Sequence, residues 1–181
     1  MPRIITFTSN KGGVGKSTGI LNVAHALALK GMRVLVLDCD VNQSNLTRNL
    51  LGKIWTLPKE ERLDGICSVY KEEKKLDDVV YETAYENLWI IPSELYSKAG
   101  NPFNLEGILA EKGLDGYFFL DDAIQESKFL ETMDFIFIDV NASLGVTLVG
   151  VLTVADYFVL PVQASDYSVE GIDQTLNSVM N

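Results

Sequence analysis

The chain has 181 residues, 47% hydrophobic and 22% charged, a balance that builds one core and excludes a disordered, fibrous or multidomain chain. Its 15 Lys and Arg stand against 25 Asp and Glu, a formal net charge of -10 that disfavours a surface made for nucleic acid or anionic lipid. No Lys or Arg follows Lys128, whereas Glu131, Asp134, Asp139, Asp156, Asp166, Glu170 and Asp173 do, so residues 129–181 offer no basic docking face.

Residues 3–8 (RIITFT) form a short β-prone run, the pattern of a strand buried on both faces of a parallel sheet. A glycine-rich turn follows. Residues 16–30 read as a helix with an apolar stripe of Ile20, Val23, Ala24, Leu27 and Ala28 and a stop at Gly31. Residues 33–38 (RVLVLD) give a second buried strand ending in acid residues, which completes a right-handed βαβ unit. The rhythm returns in strands at 87–91, 134–139 and 156–160, with helices at 103–112, 117–131 and 168–180. The expected fold is α/β, an open and mostly parallel sheet with helices on both faces, a three-layer α/β/α arrangement over one domain, 1–181. Residues 48–75 hold seven basic residues interleaved with five acids and read as a solvated mixed-charge surface.

Cys39 and Cys67 make no disulfide or metal pattern, and the opening residues lack the architecture of a secretory leader, so a cytoplasmic setting is expected. The apolar runs are strand-length, well short of the ~20 residues that span a bilayer. No membrane partner is expected. His25, Trp55 and Trp89 carry no motif and are read as packing or surface residues.

The chemistry lies at residues 10–18, NKGGVGKST, between the first strand and the first helix. Gly12, Gly13 and Gly15, with Val14 between them, let backbone N–H groups turn inward onto phosphate oxygens, and the helix dipole adds to the attraction. Lys16 is placed to neutralise the β- and γ-phosphates, Ser17 to ligate Mg²⁺, and Thr18 to reach the α-phosphate. The position that usually opens such a loop with glycine is Asn10. Asp139 ends the strand FIFID and Asp38 and Asp40 end RVLVLD, at the carboxyl edge where ligands bind in such sheets.

These segments resemble the ParA/MinD family of deviant Walker ATPases, and within it the ParA-like partition proteins. The resemblance rests on NKGGVGKST with its second lysine, Lys11, on 33–47, 133–145 and 155–179, and on NLWIIPSEL at 87–95. It implies ATP and Mg²⁺ as cofactors and a homodimer formed when ATP is bound. Lys11 would cross to the partner's nucleotide, offsetting the repulsion of two polyanions at a shared interface. By the same resemblance Lys16 is the phosphate lysine, Asp40 the switch residue needed for hydrolysis, Asp139 the Walker B acid, Asp38 a support of the metal shell, and Pro161 and Val162 the segment beside the base. The implied activity is slow ATP hydrolysis, stimulated by a ParB-like or other cargo adaptor, that positions a plasmid, a chromosome locus or a protein body such as a carboxysome.

Non-specific DNA binding and nucleoid association also follow from the resemblance, although the charge opposes them. Asn141 and Ala142 replace the family's usual prolines, and the chain is expected to be shortened at its C-terminus relative to the family. Two alternatives stand beside this reading: a metabolic P-loop enzyme of the dethiobiotin synthetase or amidase type, and a MinD-like membrane switch. The last predicted helix has an apolar stripe but no cation on its polar face, which opposes the membrane switch.

Overall fold

In the computed structural model, the structure describes residues 1–9, 12–52, 58, 61–96, 100–140 and 145–162. Five parallel strands, β1 (Arg3–Phe7), β2 (Val34–Asp38), β4 (Leu88–Ile91), β5 (Phe135–Asp139) and β6 (Tyr157–Val159), and a two-residue antiparallel edge strand, β3 (Tyr81–Glu82), form one sheet in the order β3-β4-β2-β5-β1-β6. The register sets Phe7 opposite Asp139 and Asp139 opposite Asp38, so all three strand ends lie level at the carboxyl edge. The five parallel strands are the five that the apolar runs predict, shorter by one or two residues. β3 was not foreseen, since two residues carry no period.

The strands sort their side chains by the two-residue alternation of a sheet buried on both sides. Val34, Val36, Ile90 and Phe137 meet α1 (Lys16–Ala28) and α2 (Asn45–Leu51) on one face. Leu35, Leu37, Ile136 and Ile138 meet α3 (Ile66–Tyr70), α4 (Leu105–Glu111), α5 (Asp115–Glu126) and α6 (Val146–Val154) on the other. The expected three-layer architecture is therefore the one observed.

Three local readings are corrected. In α1 the buried line is Ile20, Ala24 and Ala28, one residue per turn, while Val23 is exposed at 42% and Leu27 only half-buried. The helix predicted at 117–131 breaks at Ser127, which is extended. Its hydroxyl bonds the Asp77 carboxylate and accepts from the Leu130 N–H at 3.1 Å, opening a separate 3₁₀ turn at Leu130–Thr132. No element was assigned to α2, α3 or α6. The run VTLVGVLTV of α6 is rich in β-branched residues, and its helical state comes from burial of Thr147, Leu148, Gly150 and Val151.

The predicted helix at 168–180 lies outside the described residues. In the mixed-charge stretch, Lys74 pairs with Asp64 at 3.8 Å and Lys71 with Glu73 at 4.0 Å, the solvated pairing expected there. Among the described residues no helix is long and apolar enough to cross a membrane. Trp89 is half-buried against Phe129 and under the Arg33 guanidinium, and the His25 ring meets Tyr85 at a tilt.

Candidate nucleotide site

Residues 12–15 link β1 to α1 at the carboxyl edge. Gly15, the residue before α1, has φ 93°, and Gly13 has φ 75°, backbone states in which an L side chain is strained. The first turn of α1 contains no acidic residue, and among the described residues no side chain caps it. Its first N–H groups therefore point outward at the positive end of the helix dipole, an arrangement suited to phosphate.

Ser17, in that first turn, donates its hydroxyl to Asp139 Oδ2 at 2.5 Å. Asp139 is fully buried, and among the described residues its second oxygen, Oδ1, has no hydrogen-bond partner. Burial first, and then the negative charge of Asp38, push the Asp139 carboxyl up to about 7, against the Ser17 hydrogen bond and the Lys16 charge. A buried carboxylate with a spare oxygen and a nearby ammonium is short of positive charge.

Asp38 sits at the same level on the next strand and is equally buried, but its surroundings differ. Its Oδ2 accepts from the Thr47 N–H at 2.9 Å and the Thr47 hydroxyl at 2.7 Å, and its Oδ1 accepts from the Asp40 N–H at 3.2 Å. Burial raises this carboxyl to about 6, with the Thr47 bonds opposing. The Thr47 hydroxyl in turn accepts from the Ser93 N–H at 3.0 Å, tying β2 to the chain that leaves β4. Asp38 thus braces α2 from below the site.

Asp40 is buried at the start of the following turn, where its carbonyl oxygen accepts from the Ser44 N–H at 2.7 Å and its Oδ1 from the Gln43 N–H at 3.3 Å. Pro161 and Val162 follow β6 just past its bond from Thr8 N–H to Val159 carbonyl, on the P-loop side of the sheet, with Val162 exposed. Lys11, and the departures at Asn10, Asn141 and Ala142, lie outside the described residues.

Sequence reasoning did not find Thr47, Ser93, Glu94 or Glu106. Glu94 is buried and accepts from the Cys67 N–H at 2.6 Å and the Ser68 hydroxyl at 2.6 Å, which caps α3 from a distance and, by burial, raises its own pKa. These residues work through partners that lie 9 to 46 positions away in the sequence, so no local motif announces them.

Mg²⁺ fits this donor set. Among the described residues no group of three His, Cys, Asp or Glu is arranged to hold a metal. The protein offers one hydroxyl and the orphaned oxygen of one carboxylate, and Mg²⁺ typically takes its remaining oxygens from phosphate and water.

A family described as an AAA domain matches residues 2–181. The sporulation initiation inhibitor protein Soj of Bacillus subtilis is 33% identical over 179 residues, covering 99% of this chain and 65% of that protein. A plasmid partition protein of Borrelia burgdorferi bound to AMPPNP superposes with a TM-score of 0.80 at 30% identity, covering 99% of this chain and 70% of that one. Cobyrinic acid a,c-diamide synthase of Mycobacterium smegmatis, with bound ADP and magnesium, superposes with a TM-score of 0.82 at 26% identity, covering 99% and 67%. The chain spans less than two thirds of the length of the curated relatives Soj and the ParA of Caulobacter vibrioides, 65% and 62%.

Proposed function

Because the chain belongs to the ParA/MinD family of P-loop ATPases, we propose that it is an ATP-dependent switch that dimerises on nucleotide, hydrolyses slowly and positions an intracellular cargo. The observation that carries this reading is the pairing of Ser17 with Asp139 beneath the uncapped start of α1, with one buried Asp139 oxygen left over. Bound there, Mg²⁺ would supply charge neutralisation at the phosphates.

The chain's own groups do the rest. The N–H groups of residues 13–17 hold the phosphates, Lys16 offsets their charge, and Ser17 and Asp139 orient the metal's shell. Asp40 is assigned to orient the attacking water, and Asp38 to hold the Asp40 turn in place through its bond to the Asp40 N–H. Pro161 and Val162 are assigned to the base, and Lys11 to the partner subunit's nucleotide. An adaptor of the ParB kind would stimulate hydrolysis. DNA as the matrix is supported by the partition names of the Caulobacter and Borrelia relatives and opposed by the net charge of -10.

Lys11→Ala should abolish ATP-dependent dimerisation, read by light scattering, while monomer nucleotide binding persists. Unchanged dimerisation of that variant would overturn the switch reading. The likeness to the diamide synthase favours a second reading, a metabolic ATP-dependent enzyme. Rapid turnover of a small molecule by a monomer would establish it instead.

A further inference from the structure

We propose that Ser44 is a positioning residue for Asp40, a role that rests on the part in hydrolysis assigned to Asp40 above. Among the described residues three that are not glycine have the left-handed backbone that L side chains disfavour: Ser44 (φ 49°, ψ 42°), Glu72 and Asn87. Of these only Ser44 is fully buried. It is the residue before α2, a place where serine ordinarily has an extended backbone and its hydroxyl accepts from the N–H three residues on. Here that N–H belongs to Thr47 and donates to Asp38 Oδ2 instead. The Ser44 hydroxyl makes no cap bond and is buried without a hydrogen-bond partner among the described residues. Ser44 is therefore unfavourable twice, in its backbone and in its side chain, where glycine would be unfavourable in neither way.

A strained backbone persists only where its surroundings impose it. Two hydrogen bonds do so at Ser44. Its N–H donates to the Asp40 carbonyl at 2.7 Å, and its own carbonyl accepts from the Arg48 N–H at 3.0 Å, the first bond of α2. One bond fixes the peptide plane before the Ser44 Cα and the other the plane after it, so together they set φ and ψ. Turning either torsion toward the ordinary regions detaches the Asp40 carbonyl or the first turn of α2.

Asp40 depends on this link because it lies beyond the sheet. The last bond between the two strands runs from the Cys39 N–H to the Asp139 carbonyl at 2.8 Å, and β2 itself ends at Asp38. Past that point the Asp38 carboxylate holds the peptide plane before the Asp40 Cα, through the Asp40 N–H, and Ser44 holds the plane after it, through the Asp40 carbonyl. The Gln43 N–H, inside the same turn, reaches Asp40 Oδ1 at 3.3 Å. Ser44 thus joins the turn that aims the Asp40 side chain to the start of α2, and the left-handed state lets one residue serve both.

The test is steady-state ATPase kinetics and melting temperature of Ser44 variants, alone and combined with Asp40→Asn. Ser44→Thr keeps the hydroxyl and adds one methyl, but a β-branched residue is a poor occupant of the left-handed region. The turn should shift, and kcat per folded molecule should fall about tenfold with KM for ATP unchanged, within the range that a small misplacement of a reacting group produces. Asp40→Asn should be slow by itself, and adding Ser44→Thr to it should change kcat by less than about twofold, because Ser44 acts only through Asp40. Ser44→Gly is the conservative variant for the backbone: it keeps both bonds, loses the stranded hydroxyl, and should melt at least as high as the unmodified chain with the kcat that Ser44→Thr loses restored. A lower melting temperature for Ser44→Thr at unchanged kcat would reduce Ser44 to the structural start of α2 and overturn the proposal, as would an equal loss of kcat from Ser44→Thr with and without Asp40→Asn. Should Ser44→Thr not fold, Ser44→Gly decides: a tenfold loss of kcat there would show that the site uses the hydroxyl and not the backbone state, and kcat kept at an equal or higher melting temperature would support the proposal. An Asp40→Asn chain as fast as the unmodified one would overturn the reading of Asp40 and the proposal together, whereas a slow Asp40→Asn beside a fully active Ser44→Thr would overturn the proposal alone.

Discussion

The ends of β2 and β5 differ in what surrounds two aspartates that are otherwise matched. Asp38 and Asp139 are register partners, both fully buried, and both are pushed above the ordinary carboxylate range by that burial. Asp38 meets three donors of its own chain and braces the first turn of α2 through the Thr47 N–H. Asp139 meets one hydroxyl and keeps a buried oxygen without a partner among the described residues. The helix starts follow the same division: α2, α3 and α6 are capped from a distance by Asp38, Glu94 and Glu106, while α1 has no such carboxylate among the described residues. Satisfied carboxylates build the frame, and the unsatisfied carboxylate and helix end mark where a ligand's charges belong.

The strongest test of this contrast is Asp139→Asn. Hydrolysis should fall by about a hundredfold, the upper range for loss of a metal-site support. The ligand-free protein should melt higher at pH 8, because a costly buried charge has been removed while the amide oxygen can still accept from Ser17. Opposite signs in activity and stability are the expected signature; a joint loss would return Asp139 to the frame.

The pH dependence comes next. Both carboxyls have folded values, about 6 and about 7, above the ordinary 3.8, so the folded chain binds protons that the unfolded chain has released. Stability must then fall as pH rises from about 4 through these values, with the penalty complete above the upper one. Melting of the ligand-free protein between pH 5 and 8 should show this decline. Asp139→Asn should remove its upper part, and stabilisation by Mg²⁺ and ADP should be larger at pH 8 than at pH 6. A flat profile would mean that neighbouring groups already neutralise the pair.

Much of this arrangement was legible in the sequence. The loop at 12–18 is contiguous, so its glycines, lysine and serine could be read in order, and strands buried on both faces appear as unbroken apolar runs. Asp38 and Asp139 were placed together because both end such runs. The division of labour between them was not legible, since it depends on Thr47, nine residues beyond Asp38, and on Ser93, a further 46 along the chain. Glu106 was hidden for the same reason, with its partner Thr147 41 residues away. Val23 falls within the apolar stripe of the sequence but outside the narrower line of contact, Ile20, Ala24 and Ala28, that α1 makes with the sheet.

The gentlest way to break the comparison is Thr47→Val, which removes a hydroxyl from the Asp38 end and touches nothing at the Asp139 end. Thr47 is fully buried, and its hydroxyl both donates to Asp38 and accepts from the Ser93 N–H. Valine keeps the shape and the backbone donor to Asp38 but leaves the Ser93 N–H and one Asp38 lone pair without partners. Stranding such buried groups costs about 1–3 kcal/mol, which urea unfolding resolves as a lower midpoint at unchanged slope. ATP hydrolysis per folded molecule should change far less than in Asp139→Asn if Asp38, whose oxygens already accept from Thr47 and the Asp40 N–H, acts on the site through the frame. A hydrolytic loss as large as that of Asp139→Asn, without a matching loss of stability, would show that Asp38 reaches the metal's shell directly and that the two strand ends share one task.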